Sequence, residues 1–351
     1  MTPRRPRLTP AIADVRRAVR HTLADHVEPG ALALVGLSGG ADSLALAAAC
    51  AFEAKSGSLR AGAIIVDHGL HADSAVVAAT AASQAEKLGL APIVVTRVHV
   101  RRGLGSMTGG VEAAARKARH DAFAGALAQA GASHIVLGHT LDDQAETVLL
   151  GLARGSGSTS LRGMAQINGT ILRPLLTVKR LTTHAFCADS GLVPWHDPHN
   201  DDPAYARVRV RNAVLPLLES ELGPGIADAL ARTAEQLRED SAALDQLVRE
   251  LIDDVVEHAE AGIAVSVAAL AANPAAIRQR IVRYVVESEF GVSLDRGHTL
   301  AVTSLVTNWH GQLSLDLPGV RVERRGARIT FSATNSTAWP TRMSLPPAPS
   351  D

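Results

Sequence analysis

Residues 38–43 read Ser38-Gly39-Gly40-Ala41-Asp42-Ser43, between an apolar run, Ala31–Leu37, and an alanine-rich stretch, Leu44–Ala54. A strand that passes through paired glycines into a helix rings a concavity with backbone N–H groups. The helix N-terminus adds partial positive charge, so an anion is welcome there. Gly39 and Gly40 allow close backbone approach, and Ser38 and Ser43 bring hydroxyls. No Gly-Lys-Ser/Thr follows, so this is not the loop that grips a β/γ-phosphate with lysine. Asp42 stands in that place, an anion beside an anion site, which makes sense if Mg²⁺ bridges carboxylate and phosphate oxygens. The competing reading is an ordinary turn capped by serine or aspartate. The strand before it and the helix after it favour the anion site.

A second constellation lies at residues 138–154, where a strand ending at Leu137 gives way to Gly138-His139-Thr140-Leu141-Asp142-Asp143-Gln144-Ala145-Glu146. Asp142 and Glu146 are four apart and share a helix face, and Asp143 and Glu146 are also neighbours. Thr140 and Asp143 have capping-box spacing, and acidic residues in a first turn complement the helix dipole. Capping accounts for one or two carboxylates, not for three beside His139. Such a cluster suits a cation, either Mg²⁺ or a substrate ammonium group.

Both constellations need a scaffold that brings strand ends together. Short apolar runs at Ala31–Leu37, Ala61–Val66, Pro92–Val98 and His134–Leu137 alternate with helix-favouring segments at Ser43–Ala54, Ser74–Leu88 and Gly110–Ala130. This alternation predicts an α/β domain, a parallel sheet with helices on both faces, binding ligands beyond the carboxyl ends of its strands. Ser38, Asp67-His68, His99 and His139 all fall at such ends. Beyond Pro174 a helix pattern runs to Ser190, followed by a proline-broken loop, Pro194–Pro203. From about Pro216 the texture becomes helical (223–258, 274–288, 296–308) and closes with apolar alternation at Leu313–Leu317, Val320–Glu323 and Arg328–Phe331. The expected organisation is a catalytic domain over 1–215, a mainly helical domain with a small terminal β-hairpin over 216–332, and a disordered Ser/Thr/Pro-rich tail over 333–351.

The 35 basic residues balance 35 acidic ones, so net charge names no polyanion partner. Lysines are few (Lys55, Lys87, Lys117, Lys179), and only clustered arginines carry a functional reading. Arg207, Arg209 and Arg211 lie within five residues; a strand would put all three on one face, a helix would spread them. Either way they suit a phosphate backbone. Cys50 and Cys187 are separated, against a disulfide framework, a zinc ribbon or a cysteine-ligated cluster. No apolar run reaches membrane-spanning length and no signal-peptide pattern opens the chain, so a cytoplasmic protein is expected.

Ser-Gly-Gly-x-Asp-Ser is similar to the signature of the PP-loop ATP pyrophosphatases. The His139–Thr147 run, followed by Gly155-Ser156-Gly157, resembles the second signature of the tRNA(Ile)-lysidine synthetases. Ile65–Leu70, the Glu112–Arg119 helix, Arg173-Pro174-Leu175-Leu176 and Trp195-His196-Asp197-Pro198 with Asn200, Asp202 and Tyr205 resemble that family in the same order. The resemblance covers about 30–216, and 217–332 more weakly. His71 and His199 depart from it, standing where the family usually has arginine and serine.

The resemblance implies that ATP adenylates the C2 oxygen of the wobble cytidine in a CAU-anticodon tRNA(Ile), after which the amine of free lysine attacks C2 and expels AMP. Ser38, Gly39, Gly40, Ala41, Asp42 and Ser43 would then hold ATP, with Mg²⁺ at Asp42, and backbone near Val66 and Asp67 would read the adenine edge. Asp142, Asp143 and Glu146 are candidates for the lysine ammonium or for a general base. His139 is a candidate for the base or for a hydrogen bond to the adenylated ring. Arg116 and Arg119, three apart on a helix, suit phosphate or the lysine carboxylate, and Arg119, Arg207, Arg209 and Arg211 suit tRNA. Within this set the catalytic residues are Asp42, Arg116, His139, Asp143 and Glu146. No obligatory protein partner is expected, and a homodimer stays open. The rival readings are a tRNA-thiolating relative and a non-catalytic nucleotide-binding protein of the same fold.

Overall fold

The computed structural model describes residues 8–57, 59–67, 69, 74–98, 111–155, 157–259 and 262–334. The chain forms two compact units, Met1–Arg238 and Glu239–Asp351. The first opens with α1 (Pro10–His26), an element that lies ahead of the alternation read from Ala31 onward. Its signals are local: Thr9 caps it by accepting from the Ile12 N–H, Pro10 occupies the first turn, and Ile12, Val15, Val19 and Leu23 form its buried stripe.

From there strand and helix alternate as expected: β1 (Leu32–Gly36), α2 (Ala41–Ala54), β2 (Arg60–Asp67), α3 (Ser74–Leu88), β3 (Ile93–Arg97), α4 (Val111–Ala130), β4 (His134–Val136) and α5 (Leu141–Ala153). A one-turn α6 (Ser158–Leu161), the short strands β5 (Ile167–Asn168) and β6 (Ile171–Leu172), and α7 (Arg180–Asp189) follow. The sheet order is β3-β2-β1-β4-β6-β5, parallel except for the β5–β6 pair.

Side-chain alternation along the strands explains the two helical layers. Ala33 and Val35 of β1 and Ala61, Ala63 and Ile65 of β2 join the core formed with α1, α2, α3 and α7. Leu32, Leu34 and Ile64 point the other way, to Phe123 and Ala126 of α4. Because β1 is flanked by β2 and β4, the chain reverses its direction of winding between β1 and β4, and a crevice opens there.

The first unit continues through α8 (Ala206–Arg209), a π-helical turn (Val210–Val214), α9 (Leu215–Leu222) and the start of α10 (Ile226–Val255). The helical outcome settles the geometry of the 207–211 arginines. The second unit carries the rest of α10, then β7 (Val256–Ala259), β8 (Gly262–Ser266), α11 (Val267–Ala272), α12 (Ala275–Phe290), α13 (Arg296–Thr307), β9 (Leu315–Leu317), β10 (Val320–Arg325) and β11 (Arg328–Ala333). The expected hairpin is β10–β11, and it belongs to a five-stranded antiparallel sheet of order β7-β8-β11-β10-β9. Val320, Val322, Ile329 and Phe331 pack with Ile281, Val285, Val286 and Val302 of the helices.

Among the described residues no helix is long and apolar enough to cross a membrane. His68, His71, His99, residues 101–110, Ser156 and the residues beyond Thr334 lie outside the described residues, as does the Arg116 side chain.

Candidate active site

A cavity of about 630 Å³ opens at the β1/β4 crevice. One wall is Gly36, Leu37, Ser38, Asp42 and Ser43; a second is Ile64–Asp67 at the end of β2; a third is Gly138, His139 and Asp143. Trp195, Asp197, His199, Asn200, Arg119 and Arg207 complete it. Both constellations read from the sequence therefore reach one space, of a size that holds small ligands.

The loop after β1 is organised by its own short side chains. Ser43 Oγ donates to the Gly40 carbonyl (3.0 Å) and accepts from the Ser38 N–H (3.2 Å), and the two serine hydroxyls lie 3.0 Å apart. Gly39 adopts φ +87°, a left-handed conformation that favours glycine, and its carbonyl accepts from the Trp195 N–H. Gly138 serves differently. A Cβ there would lie 2.9 Å from the Asp42 carbonyl oxygen and 3.2 Å from Ser43 Cα, so its bare backbone lets α2 start directly against the end of β4.

Asp42 faces α7. Its carboxylate accepts from the Thr183 hydroxyl and lies 3.5 Å from Arg180 Nε. Burial raises its pKa despite the Thr183 hydrogen bond and the Arg180 charge, so this anion is incompletely compensated by the protein.

The acidic run begins α5. Thr140 and Asp143 do form the capping box, the Asp143 carboxylate accepting from the Thr140 N–H at 2.8 Å. Capping uses one oxygen of Asp143; the other meets Arg180 Nη2 at 2.8 Å and Arg211 Nη2 at 3.4 Å. Glu146 is fully buried and accepts from Arg180 (3.1 Å) and from Arg211 (2.7 and 3.1 Å), with Arg207 Nε 3.3 Å away. Asp142 accepts the Arg180 backbone N–H at 2.7 Å. Capping and charge clustering thus coexist at one helix start. Burial pulls the Asp143 pKa upward, but Arg180, the Thr140 N–H and further cations outweigh it and hold it below its usual value.

His139 is pushed down to about 4 by burial, opposed by Asp143 and reinforced by Arg173, Arg207 and Arg119. Its imidazole is neutral at pH 7, and Nδ1 is buried without a hydrogen-bond partner among the described residues.

Of the sequence-read candidates, Ser38, Asp42, Ser43, Val66, Asp67, Arg119, His139, Asp143 and Arg207 line the cavity. Gly39, Gly40, Ala41, Asp142, Glu146, Arg209 and Arg211 do not. Arg207 and Arg211, four apart on the helical turns, face Glu146, while Arg209 points outward and donates to the Pro203 and Ala204 carbonyls. Arg180 was not legible as a site residue: an arginine following Lys179 carries no motif, and its partners lie 34 to 138 residues earlier. Among the described residues no group of three or more His, Cys, Asp or Glu side chains is arranged to hold a metal.

A family described as the PP-loop domain matches residues 13–218, and one described as the TilS substrate binding domain matches 266–329. The chain is 63% identical over 304 residues to the tRNA(Ile)-lysidine synthase of Leifsonia xyli subsp. xyli, covering 86% of this chain and 90% of that protein. It is 48% identical to the enzyme of that name from Thermobifida fusca, over 90% of this chain and 95% of the other. Among solved structures, the U34-tRNA thiolase NcsA of Methanococcus maripaludis superposes with a TM-score of 0.54 at 22% identity, over 65% of this chain and 80% of that one, a likeness of fold alone. With both signatures lining one cavity and identity sustained over most of its length, the chain belongs to the tRNA(Ile)-lysidine synthase family.

Proposed function

We propose that the protein uses ATP to join free lysine to C2 of the wobble cytidine in a CAU-anticodon tRNA(Ile), releasing pyrophosphate and AMP as lysidine forms. The observation that carries this is the single cavity shared by the Ser38–Ser43 loop and the His139/Asp143 edge. In the first step the C2 oxygen attacks the α-phosphorus and pyrophosphate leaves. In the second the lysine side-chain amine attacks C2, the C2–O bond breaks, and AMP departs while the amine gives up a proton.

Ser38, Gly39, Gly40, Ala41 and Ser43 cradle the leaving pyrophosphate with N–H and hydroxyl donors, a charge-stabilising role. The backbone of Val66 and Asp67 meets the adenine. Mg²⁺ fits Asp42, whose under-compensated carboxylate lines the cavity beside the two serines. When bound there it supplies positive charge to the pyrophosphate. Asp143 reaches the cavity and is the carboxylate positioned for the lysine ammonium. Glu146 and Asp142 act from behind it, holding arginines. His139, neutral and with an open Nδ1, suits a hydrogen bond to the cytidine ring better than a proton-abstracting role, since a pKa of about 4 makes it a weak base. Arg116, Arg119 and Arg207 are assigned to phosphate or lysine carboxylate, and Arg209, exposed, to the tRNA backbone. Arg211 supports Glu146. The 1–215 and 216–332 segments are read as catalytic and tRNA-binding parts. The protein works in the cytoplasm without an obligatory protein partner, as a monomer or homodimer.

Thiolation is disfavoured because burial raises the pKa of both thiols, Cys50 and Cys187, leaving poor sulfur nucleophiles. Incubation with ATP, labelled lysine and tRNA transcripts tests the reading: label is retained on CAU-anticodon tRNA(Ile) alone. Sulfur incorporation, or ATP binding without pyrophosphate release, would overturn it. Asp42→Asn is expected to keep the fold and lose pyrophosphate release by at least about 100-fold; a wild-type rate would remove Asp42 from its role.

A further inference from the structure

We infer that Arg180 is a positioning residue that ties the pyrophosphate side of the cavity to its acceptor side. Its side chain is 17% exposed, and the guanidinium meets carboxylates from both. Nη2 donates to Asp143 at 2.8 Å and Nη1 to Glu146 at 3.1 Å, both on α5, while Nε lies 3.5 Å from Asp42 on α2. The Arg180 N–H holds Asp142 at 2.7 Å, and its carbonyl is within 2.7 Å of the Thr183 hydroxyl, the group that also reaches Asp42. One residue at the start of α7 is therefore in contact with every acid of the two signatures.

The geometry is specific to arginine. A planar guanidinium presents donors in fixed directions and spans several carboxylates at once, whereas an ammonium is a compact point charge on a flexible stem. Burial works against the Arg180 cation, but Asp143, Glu146, Asp42 and Asp142 outweigh it and keep it charged. The first step of the proposed reaction needs Asp42 placed against the leaving group. The second needs Asp143 placed against the nucleophile. With the two carboxylates locked to one rigid fork, the adenylated cytidine formed beside the first is already in register with the second. Misplacement by about 1 Å is enough to cost on the order of 100-fold in rate.

This inference rests on the lysidine-forming reading, and the test separates the two. Arg180→Lys keeps the buried charge and is the variant of choice, since Arg180→Met leaves the acids uncompensated and serves only as a stability control. Pyrophosphate release is measured in a single turnover with ATP and tRNA(Ile), and lysine is then added to the accumulated adenylated tRNA. For Arg180→Lys the expected result is a folded protein with KM for ATP and lysine within about threefold of wild type and both single-turnover rates reduced by on the order of 100-fold. Wild-type rates with a lowered melting midpoint would make Arg180 a structural ion-pair partner only. Loss confined to one step would show that it serves one carboxylate and ties nothing together. Either outcome overturns the inference. Failure of the wild-type protein to load lysine would instead overturn the functional reading.

Discussion

At the carboxyl end of β1 the site is made of backbone and hydroxyls around a single acid, Asp42, whereas at the carboxyl end of β4 it is made of clustered charges. The serine hydroxyls of the Ser38–Ser43 loop are satisfied within six residues, Ser43 bonding Gly40 and Ser38, while the Gly39 carbonyl and the Asp42 carboxylate reach out, to Trp195 and to Thr183 and Arg180. The α5 edge does the opposite. Beyond the Thr140 cap, Asp143 and Glu146 draw their charged partners from residues 34 to 68 positions away, on α7, α8 and the π-helical turn. A loop built from local backbone is pre-organised wherever its strand and helix form. A cluster of buried ions exists only when several elements arrive together, and its parts are stable only as a set.

Glu146→Gln should break that contrast most sharply. It removes a fully buried carboxylate from three arginines, and breaking one side of a buried pair costs about 3–5 kcal/mol. Urea or thermal unfolding reads the loss, and unchanged stability would mean the arginines are compensated elsewhere.

His139 gives a pH-dependent version of the same comparison. Its folded pKa of about 4 lies below the ordinary value of 6.5, so as pH falls the unfolded chain takes the proton first. Its contribution is undiminished above pH 6.5 and is lost progressively down to about pH 4, by ~3 kcal/mol in all. His139→Asn should flatten the stability curve across that window while leaving it parallel to wild type above it. An equal slope in both proteins would place His139 in solvent contact.

The smallest expected effect falls on the loop side. Gly138→Ala sets a methyl 2.9–3.2 Å from backbone atoms of Asp42 and Ser43, which cannot rotate away as a side chain would. Over-packing of this kind costs about 1–3 kcal/mol. It should also slow pyrophosphate release by moving the start of α2. Retention of both stability and rate would show that the α2–β4 contact is slack.

The alternating strands and helices were legible because each carries its own local pattern. β1 and β2 are short continuous apolar runs buried on both faces, Ser74–Leu88 is a helix with the bounds its pattern implies, and α12 and α13 fall within a residue or two of their apolar spacing. The capping box at Thr140 was legible for the same reason, being a three-residue relation. α1 shows a signal present yet unread: Thr9, Pro10 and the Ile12–Leu23 stripe announce a helix that the strand–helix alternation does not include. The terminal sheet was legible only in its last three strands, since β7 follows directly on a long helix and pairs with β8. Arg207, Arg209 and Arg211 could not be oriented from spacing alone. The helix sends two of them inward to Glu146 and one outward.

By itself the sequence determined the residues at each strand end: a glycine- and hydroxyl-bearing turn with one acid at Ser38–Ser43, an acidic helix start at Asp142–Glu146, and the order of the strands and helices between them. These are short-range properties, set by glycine conformation, capping and hydrophobic period within a few residues. Only the tertiary structure decided that β1 and β4 are neighbours, that the Gly138 backbone is bare enough for α2 to abut it, and that Arg180 from α7 closes the gap between Asp42 and Asp143. Which cation meets which buried carboxylate depends on chain segments far apart in sequence, and that choice is made by packing.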